Sequence, residues 1–260
     1  MKILMLILAS DAPLYQMLQK IKKKYLFFHP NIEAYFYKGD PNLDCEHKIV
    51  GDTLYVKTEE HNPVPFIKLV LALKAFERKL DSFDFISRPN LSTFVILSRY
   101  LKHLETLPRK MCCSGLKFYG GQPIPFPSGF LFTITPDIAH HIIHNTIIPN
   151  NEGIDDRCVG RVLQHLNVEI REFPFVYVEY PNAYETDELR NCLENKNVFL
   201  IRIRHLQPSN ELFGIDDKAR LEKDLLIHCL LMRKYYGFTD DVILSEFGVD
   251  MSKCPSNIIV

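Results

Sequence analysis

The run that opens the chain, MKILMLILAS, is apolar without alternation from Ile3 to Ala9 and stops at Asp11 and Pro13. A strand with one wet face alternates between apolar and polar residues. An unbroken run instead needs cover on both faces, the condition of a parallel sheet sandwiched between helices. A secretory leader would also begin with a lysine and an apolar stretch, but no convincing small-x-small cleavage site precedes Asp11. Nothing in the sequence approaches the roughly 20 apolar residues of a membrane span.

Helix and strand patterns alternate from there. PLYQMLQKIKKKYLFF sets Leu14, Met17, Leu18 and Ile21 at helical spacing, with its lysines assigned to the opposite side. Asn31–Gly39 reads as a second strand ending at Gly39 and Asp40, and a short strand is expected at Leu54–Val56. PFIKLVLALKAFERKL is an amphipathic helix with Pro65 in its first turn. FDFISRPNLSTF, Phe83 to Phe94, is a strand that runs into a loop at Pro89 and Asn90. Then come a helix, FVILSRYLKHLETL, a turn-rich segment, YGGQPIPFPSGFLFTIT, and a helix, PDIAHHIIHNTI. NNEGIDDRCVGRVLQHL is a polar loop feeding a helix, followed by the strands VEIREFPFVYVEY and NVFLIRIRHL and the long helix DDKARLEKDLLIHCLLMRKYYG. This order predicts an α/β fold with a mostly parallel central sheet flanked by helices. With no repeat, low-complexity tract or linker, the chain reads as one domain over residues 1–237 with a tail, 238–260, packed on it.

Composition works by exclusion. A net charge of −1 over 260 residues gives no field that would favour nucleic acid or an acidic membrane surface. Seven cysteines, odd in number and without a Cys-x-x-Cys pair, argue against a zinc cage or a disulfide framework. Free thiols in a reducing compartment, and hence a cytoplasmic protein, are expected. A dinucleotide G-x-G-x-x-G loop, a P-loop and an H-E-x-x-H motif are absent. A Rossmann-type methyltransferase would need a glycine-rich loop after the first strand, and LASDAPLY does not supply it.

Several loops carry the chemistry that is left. Strand ends in open α/β sheets are where ligands bind, which singles out SRPNLSTF with Arg88, Asn90 and Ser92. PFPSGF puts Ser128 and Gly129 in a turn, where glycine lets backbone approach a ligand closely. EGIDDRCVG sets Asp155 and Asp156 at a helix start; plain capping would explain one of them, while the other is free to face a cleft and take a proton as a general base. Arg202 and Arg204 alternate along one strand and so share a side, fit either for anion binding or for a solvated face. His140 and His144 stand four apart on one helix, but no carboxylate accompanies them at metalloprotease spacing, and structural histidines are the plainer reading.

Taken in order, these pieces resemble a family. PFIKLVLALKAF, with Lys68, is similar to a helix carrying L-x-L-K-T in the inverting beta-1,3-galactosyltransferase/Fringe-type glycosyltransferases. FDFISRPNLSTF is similar to their YDF-x-x-K-T-D-D-D-x-F segment, PFPSGF…TIT to Y-x-x-G-x-G-Y-x-x-S, and IDDRCVG to E-D-V-x-x-G. The resemblance spans roughly Lys2 to Tyr236 and includes FLIRIRHL, which is similar to a divergent group of that family. It implies a single Rossmann-like domain of the class A glycosyltransferase (GT-A) fold. Such an enzyme transfers a sugar from a nucleotide sugar, usually a uridine diphosphate sugar, to a hydroxyl of a glycan or glycoprotein acceptor.

By the same resemblance the base is Asp156, with Asp155 orienting the loop or acceptor. Donor contacts fall on Ser10, Lys68, Arg88, Asn90, Ser92, Arg202 and Arg204, and the acceptor or sugar loop on Ser128 and Gly129. The departure lies at the metal. Asn90, Leu91 and Ser92 stand over the family's three aspartates, and neutral Asn and Ser ligate Mg2+ or Mn2+ far less well than carboxylates. Only Asn90, Ser92 and His205 remain as weak ligands, so reduced dependence on Mn2+ or Mg2+ is expected, with basic residues steadying the leaving diphosphate. Members of the family usually sit in the Golgi, and a chain without leader or anchor fits a cytoplasmic bacterial or viral setting instead. The alternative function is a catalytically inactive nucleotide-sugar or glycan-binding protein of the same fold.

Overall fold

The computed structural model describes residues 1–60, 65–148, 153–180, 194–205 and 217–253. They pack as two compact units that interleave along the chain. The first comprises Met1–Ser10, Phe27–Asn90 and Leu104–Phe173; the second comprises Asp11–Leu26, Leu91–His103 and Pro174–Val260.

The first unit is built on an eight-stranded mixed sheet with helices against it, in the α/β class that the alternation predicts. Its strands are β1 (Ile3–Leu8), β2 (Ile32–Gly39), β3 (His47–Val50), β4 (Thr53–Val56), β5 (Phe85–Pro89), β7 (Cys113–Phe118), β8 (Phe126–Ile134) and β9 (Ile170–Arg171), in the order β3-β4-β2-β1-β5-β8-β7-β9. The run from β4 through β2 and β1 to β5 is parallel. β8 then pairs antiparallel with both β5 and β7. Strand β1 is central, with Ile3 opposite both Ile32 and Phe85, and residues Ile3 to Ile7 have no exposed surface. That is the burial an unbroken apolar run requires. Helices α2 (Pro65–Lys74), α4 (Pro136–Ile143) and α5 (Asp155–His165) and the 3-10 helix η1 (Glu77–Ser82) belong to this unit. Its core joins Leu4, Leu6 and Tyr37 of the sheet to Phe66 and Leu69 of α2 and Val159 of α5. Each such large apolar side chain contributes roughly 1.5–3 kcal/mol by burial.

Three expectations are corrected here. The helix expected from Pro65 through Leu80 is two elements, because Phe76 and Lys79 bond back three residues, to Leu73 and Phe76, and tighten the backbone into η1. The turn-rich segment is a turn only at its start, where Gly120 and Gly121 take positive φ; Phe126 to Ile134 is a nine-residue strand. The single strand expected over 168–180 is split. Pro174 lacks the N–H that a ladder needs, so β9 ends in the large sheet and β10 (Phe175–Tyr180) joins another.

The second unit carries a three-stranded sheet in the order β10-β11-β6, with β6 at Thr93–Val95 and β11 at Leu200–His205. β10 and β11 run parallel, and β6 is antiparallel to β11. Its helices are α1 (Pro13–Leu26), α3 (Leu97–Glu105), α6 (Asp217–Tyr236) and α7 (Asp240–Phe247). The tail, patternless by sequence, thus contains a helix: the Thr239 hydroxyl accepts from Val242 N, and Gly248 closes it in the left-handed conformation. Lys22 is a further correction. It lies not on a wet face of α1 but fully inside, four residues after buried Leu18, and its ammonium donates to Thr93 O.

Candidate functional site

Strand β5 delivers Arg88 and Pro89 to its carboxyl end, and Asn90 extends it far enough to bridge Leu8 at the end of β1. This is the sheet edge at which α/β proteins bind ligands. Helix α5 begins at Asp155 and Asp156, and β8 passes alongside with Ser128 and Gly129.

Arg88 is the hub, only 3% exposed. One terminal nitrogen lies 2.5 Å from Asp155 Oδ2. The other donates to Asn90 Oδ1 at 2.8 Å and to Gly129 O at 2.6 Å, and Nε donates to the Tyr37 hydroxyl at 3.3 Å. A guanidinium has five N–H groups, so these contacts leave little of it for a ligand. Burial alone would lower its pKa, but the Asp155 charge and the Tyr37 oxygen overturn that and hold Arg88 above the usual arginine value. Burial likewise raises the Asp155 carboxyl, and Arg88 pulls it only part of the way back. The Tyr37 hydroxyl, also buried, is pushed well above its ordinary value.

Asp155, the first residue of α5, also gives a partner to a first-turn N–H, its Oδ1 accepting from Asp156 N at 2.9 Å. Asp156 differs in being half-buried. Its Oδ2 accepts from Gly129 N at 3.0 Å and its Oδ1 from Arg157 N at 2.8 Å. Two backbone donors therefore fix the carboxylate, and each oxygen keeps a lone pair for a proton. Gly129 makes this possible: a Cβ there would stand 2.8 Å from an Arg88 nitrogen and 3.3 Å from Asp156 Oδ2. Gly160 does the same for the helix, since a Cβ would meet Phe126 Cβ at 2.6 Å and hold α5 away from β8.

The structure thus brings together Arg88, Asn90, Gly129, Asp155 and Asp156. Ser128 is buried in β8, its Oγ 3.5 Å from Phe130 N, and Ser10 is half-buried just past the end of β1. Lys68 is 4% exposed and paired with Glu60, 3.0 Å from Oε2, while Glu60 also accepts from Gly39 N at the end of β2. It holds the end of β2 in place. Ser92 and Arg202 belong to the second unit, where the Arg202 guanidinium donates to Ser92 Oγ. The side chains of Arg204 and His205 lie outside the described residues.

The oxygens nominated for a hard divalent cation do not suit one. Asn90 Oδ1 accepts from Arg88, and Ser92 Oγ from Arg202. Neither carries charge, and each already has a guanidinium beside it, whereas Mg2+ and Mn2+ favour carboxylate oxygens and water.

Two basic residues escaped the sequence reading. Arg157 and Arg161, one turn apart on α5, line a cavity of about 290 Å³ with Phe126, Ile154 and Cys158. Arg157 also stands over the Phe126 ring, 5.8 Å from its centroid. Their signal was present in DDRCVGR, as two arginines at i, i+4 directly after the acids.

No family model matches the sequence, and no curated protein matches it. Among solved structures the chain is similar to a glycosyltransferase involved in the glycosylation of the major capsid of PBCV-1. The two are 11% identical with a TM-score of 0.46, over 86% of this chain and 98% of that one. At that TM-score the likeness carries no argument, and the α/β assignment rests on the strand order itself.

Proposed function

We propose that the chain is an inverting glycosyltransferase that moves a sugar from a nucleotide sugar, a uridine diphosphate sugar by the family resemblance, to a hydroxyl of a glycan acceptor. The observation that carries this reading is Asp156. It is half-buried, pinned by Gly129 N and Arg157 N, and set beside a buried ion pair at the ligand-binding edge of the sheet. In the proposed reaction the acceptor hydroxyl gives its proton to the Asp156 carboxylate. Its oxygen attacks the anomeric carbon from the face opposite the diphosphate, the carbon–oxygen bond to the diphosphate breaks, and the nucleoside diphosphate leaves. General-base assistance of this kind contributes about 10²–10⁴-fold.

Asp155 is a positioning residue in this scheme, tied to Arg88 and to the first turn of α5. The charge that develops on the diphosphate needs fixed cations. Arg157 and Arg161, which line the cavity, suit that task better than Arg88, whose charge Asp155 balances. Ser10 and Asn90, at the ends of β1 and β5, are assigned to the donor.

The test is transfer from a panel of nucleotide sugars, assayed in excess EDTA, by the parent chain and Asp156→Asn. Turnover by the parent and a loss of about 10²-fold or more in the variant are expected. Undiminished transfer by the variant would remove the base. Loss of parental activity in EDTA, restored by Mn2+, would remove the metal-light scheme. Donor binding without turnover under any condition would favour the inactive binding protein.

A further inference from the structure

His140 and His144 have no part in the site just described. Helix α4 carries both, His144 being its C-cap residue, and a four-residue separation puts them on one face. No carboxylate of α4 stands with them, but η1 packs against this helix and brings two. Glu77 Oε1 lies 2.8 Å from His144 Nε2, and Asp81 Oδ1 lies 3.1 Å from His140 Nε2. One donor atom from each of Glu77, His140 and His144 falls within 4.8 Å of the others.

We propose that Glu77, His140 and His144 form a divalent-metal site of the zinc class that clips α4 to η1. The donor set decides the class. Two imidazoles suit Zn2+, Cu2+ and Ni2+, whereas Mg2+ and Ca2+ need a shell of oxygens. Tetrahedral zinc has nitrogen and carboxylate-oxygen bonds of about 2.0–2.2 Å, so its ligand atoms stand roughly 3.3 Å apart. Metal binding draws the donor atoms, now within 4.8 Å of one another, to that spacing. The metal takes the place of the direct contact between His144 Nε2 and Glu77 Oε1, and water fills the fourth position. Entry is open, because the side chains of His144, Glu77 and His140 are 66%, 32% and 30% exposed.

The experiment uses the untagged full chain, stripped with EDTA and dialysed. Zn2+ is titrated calorimetrically, and Co2+ is added to a second sample for its visible absorption. One saturable equivalent of Zn2+ is expected, with a rise in thermal midpoint as metal is added and tetrahedral-type Co2+ bands. Excess Mg2+ should not compete. His144→Ala and Glu77→Gln should each weaken Zn2+ binding by about tenfold or more, and His141→Ala, on the same helix and exposed, should leave it unchanged. The metal-free thermal midpoints of the variants, compared with the parent, separate lost ligation from lost folding. Absence of saturable binding, or parental affinity in a His140→Ala/His144→Ala double variant, would overturn the site.

Discussion

In the first unit the buried cation Arg88 meets a carboxylate, Asp155, at 2.5 Å. In the second, the buried cation Lys22 reaches a backbone carbonyl, Thr93 O, and the charge that bears on it is another cation, Arg202. The outcomes diverge. Arg88 is held above its usual pKa. The Lys22 ammonium is lowered to about 7, by burial first and then by Arg202. His228 follows Lys22: burial, with the Lys22 and Arg202 charges adding to it, brings the ring to about 3 against the pull of Asp224 O. Its Nδ1 donates to that carbonyl at 2.8 Å. A charge survives inside a protein only where an opposite charge repays its desolvation; elsewhere the group gives up its proton. Ion pairing near the candidate site therefore keeps the Arg88 charge in place beside Asp156, while the second unit buries groups whose charge changes between pH 3 and 10.

The largest effect is expected from breaking that ion pair. Arg88→Met leaves Asp155 buried without its counter-charge and should cost about 3–5 kcal/mol in urea unfolding. Adding Asp155→Asn, which keeps an acceptor for Asp156 N, should recover a substantial part. The double-mutant cycle should then show a coupling of about 1–3 kcal/mol. Additive losses would mean that the pair does not act as a unit and that the contrast with Lys22 is one of packing alone.

How much of this contrast is legible in the sequence depends on whether it is local. β1, α1, β2, α2 and β5 follow from periodicity, which needs only near neighbours. β8 was obscured because Pro127 and Gly129 look like turn chemistry, yet its core-facing Phe132 and Ile134 keep it in the sheet. Asp155, Asp156, Arg88, Asn90 and Gly129 can each be picked out from their loops. Their assembly cannot, because Tyr37, Arg88, Gly129 and Asp155 come from four elements that only the sheet order brings together. Lys22 is the reverse case. Its position continues the buried stripe from Leu18, but in KIKKKY its residue type hides that.

The middle-sized effect concerns pH. Lys22 has a folded pKa near 7 against an ordinary 10.5. Between these values the unfolded chain holds a proton that the folded chain has released, so stability rises with pH through the window and is lost as pH falls toward 7. Among the described residues, the charged and titratable groups around it include Arg202, His228 and Tyr25, with buried Asp224 on the same helix as His228. Urea unfolding from pH 7 to 10 should show a gain on the order of 2–4 kcal/mol from this group, and Lys22→Met should flatten it. His228 contributes with the same sign at lower pH: stability falls as pH drops from 6.5 toward 3. A parental profile without slope between pH 7 and 10 would place a compensating anion beside Lys22 and erase the contrast.

The smallest effect sharpens the same comparison from the paired side. Tyr37→Phe removes the oxygen that accepts from Arg88 Nε at 3.3 Å and leaves a buried donor without that partner. Because the guanidinium keeps Asp155, Asn90 and Gly129 O, its charge should stay in place and the loss should be about 1–2 kcal/mol. The loss should also be the same at pH 6 and pH 8, since neither Arg88 nor Tyr37, both held above their ordinary values, changes protonation in that range. A pH-dependent loss in this variant would show that the tyrosine oxygen, and not the Asp155 carboxylate alone, keeps Arg88 charged. That result would move part of the electrostatic support for Asp156 from α5 to strand β2.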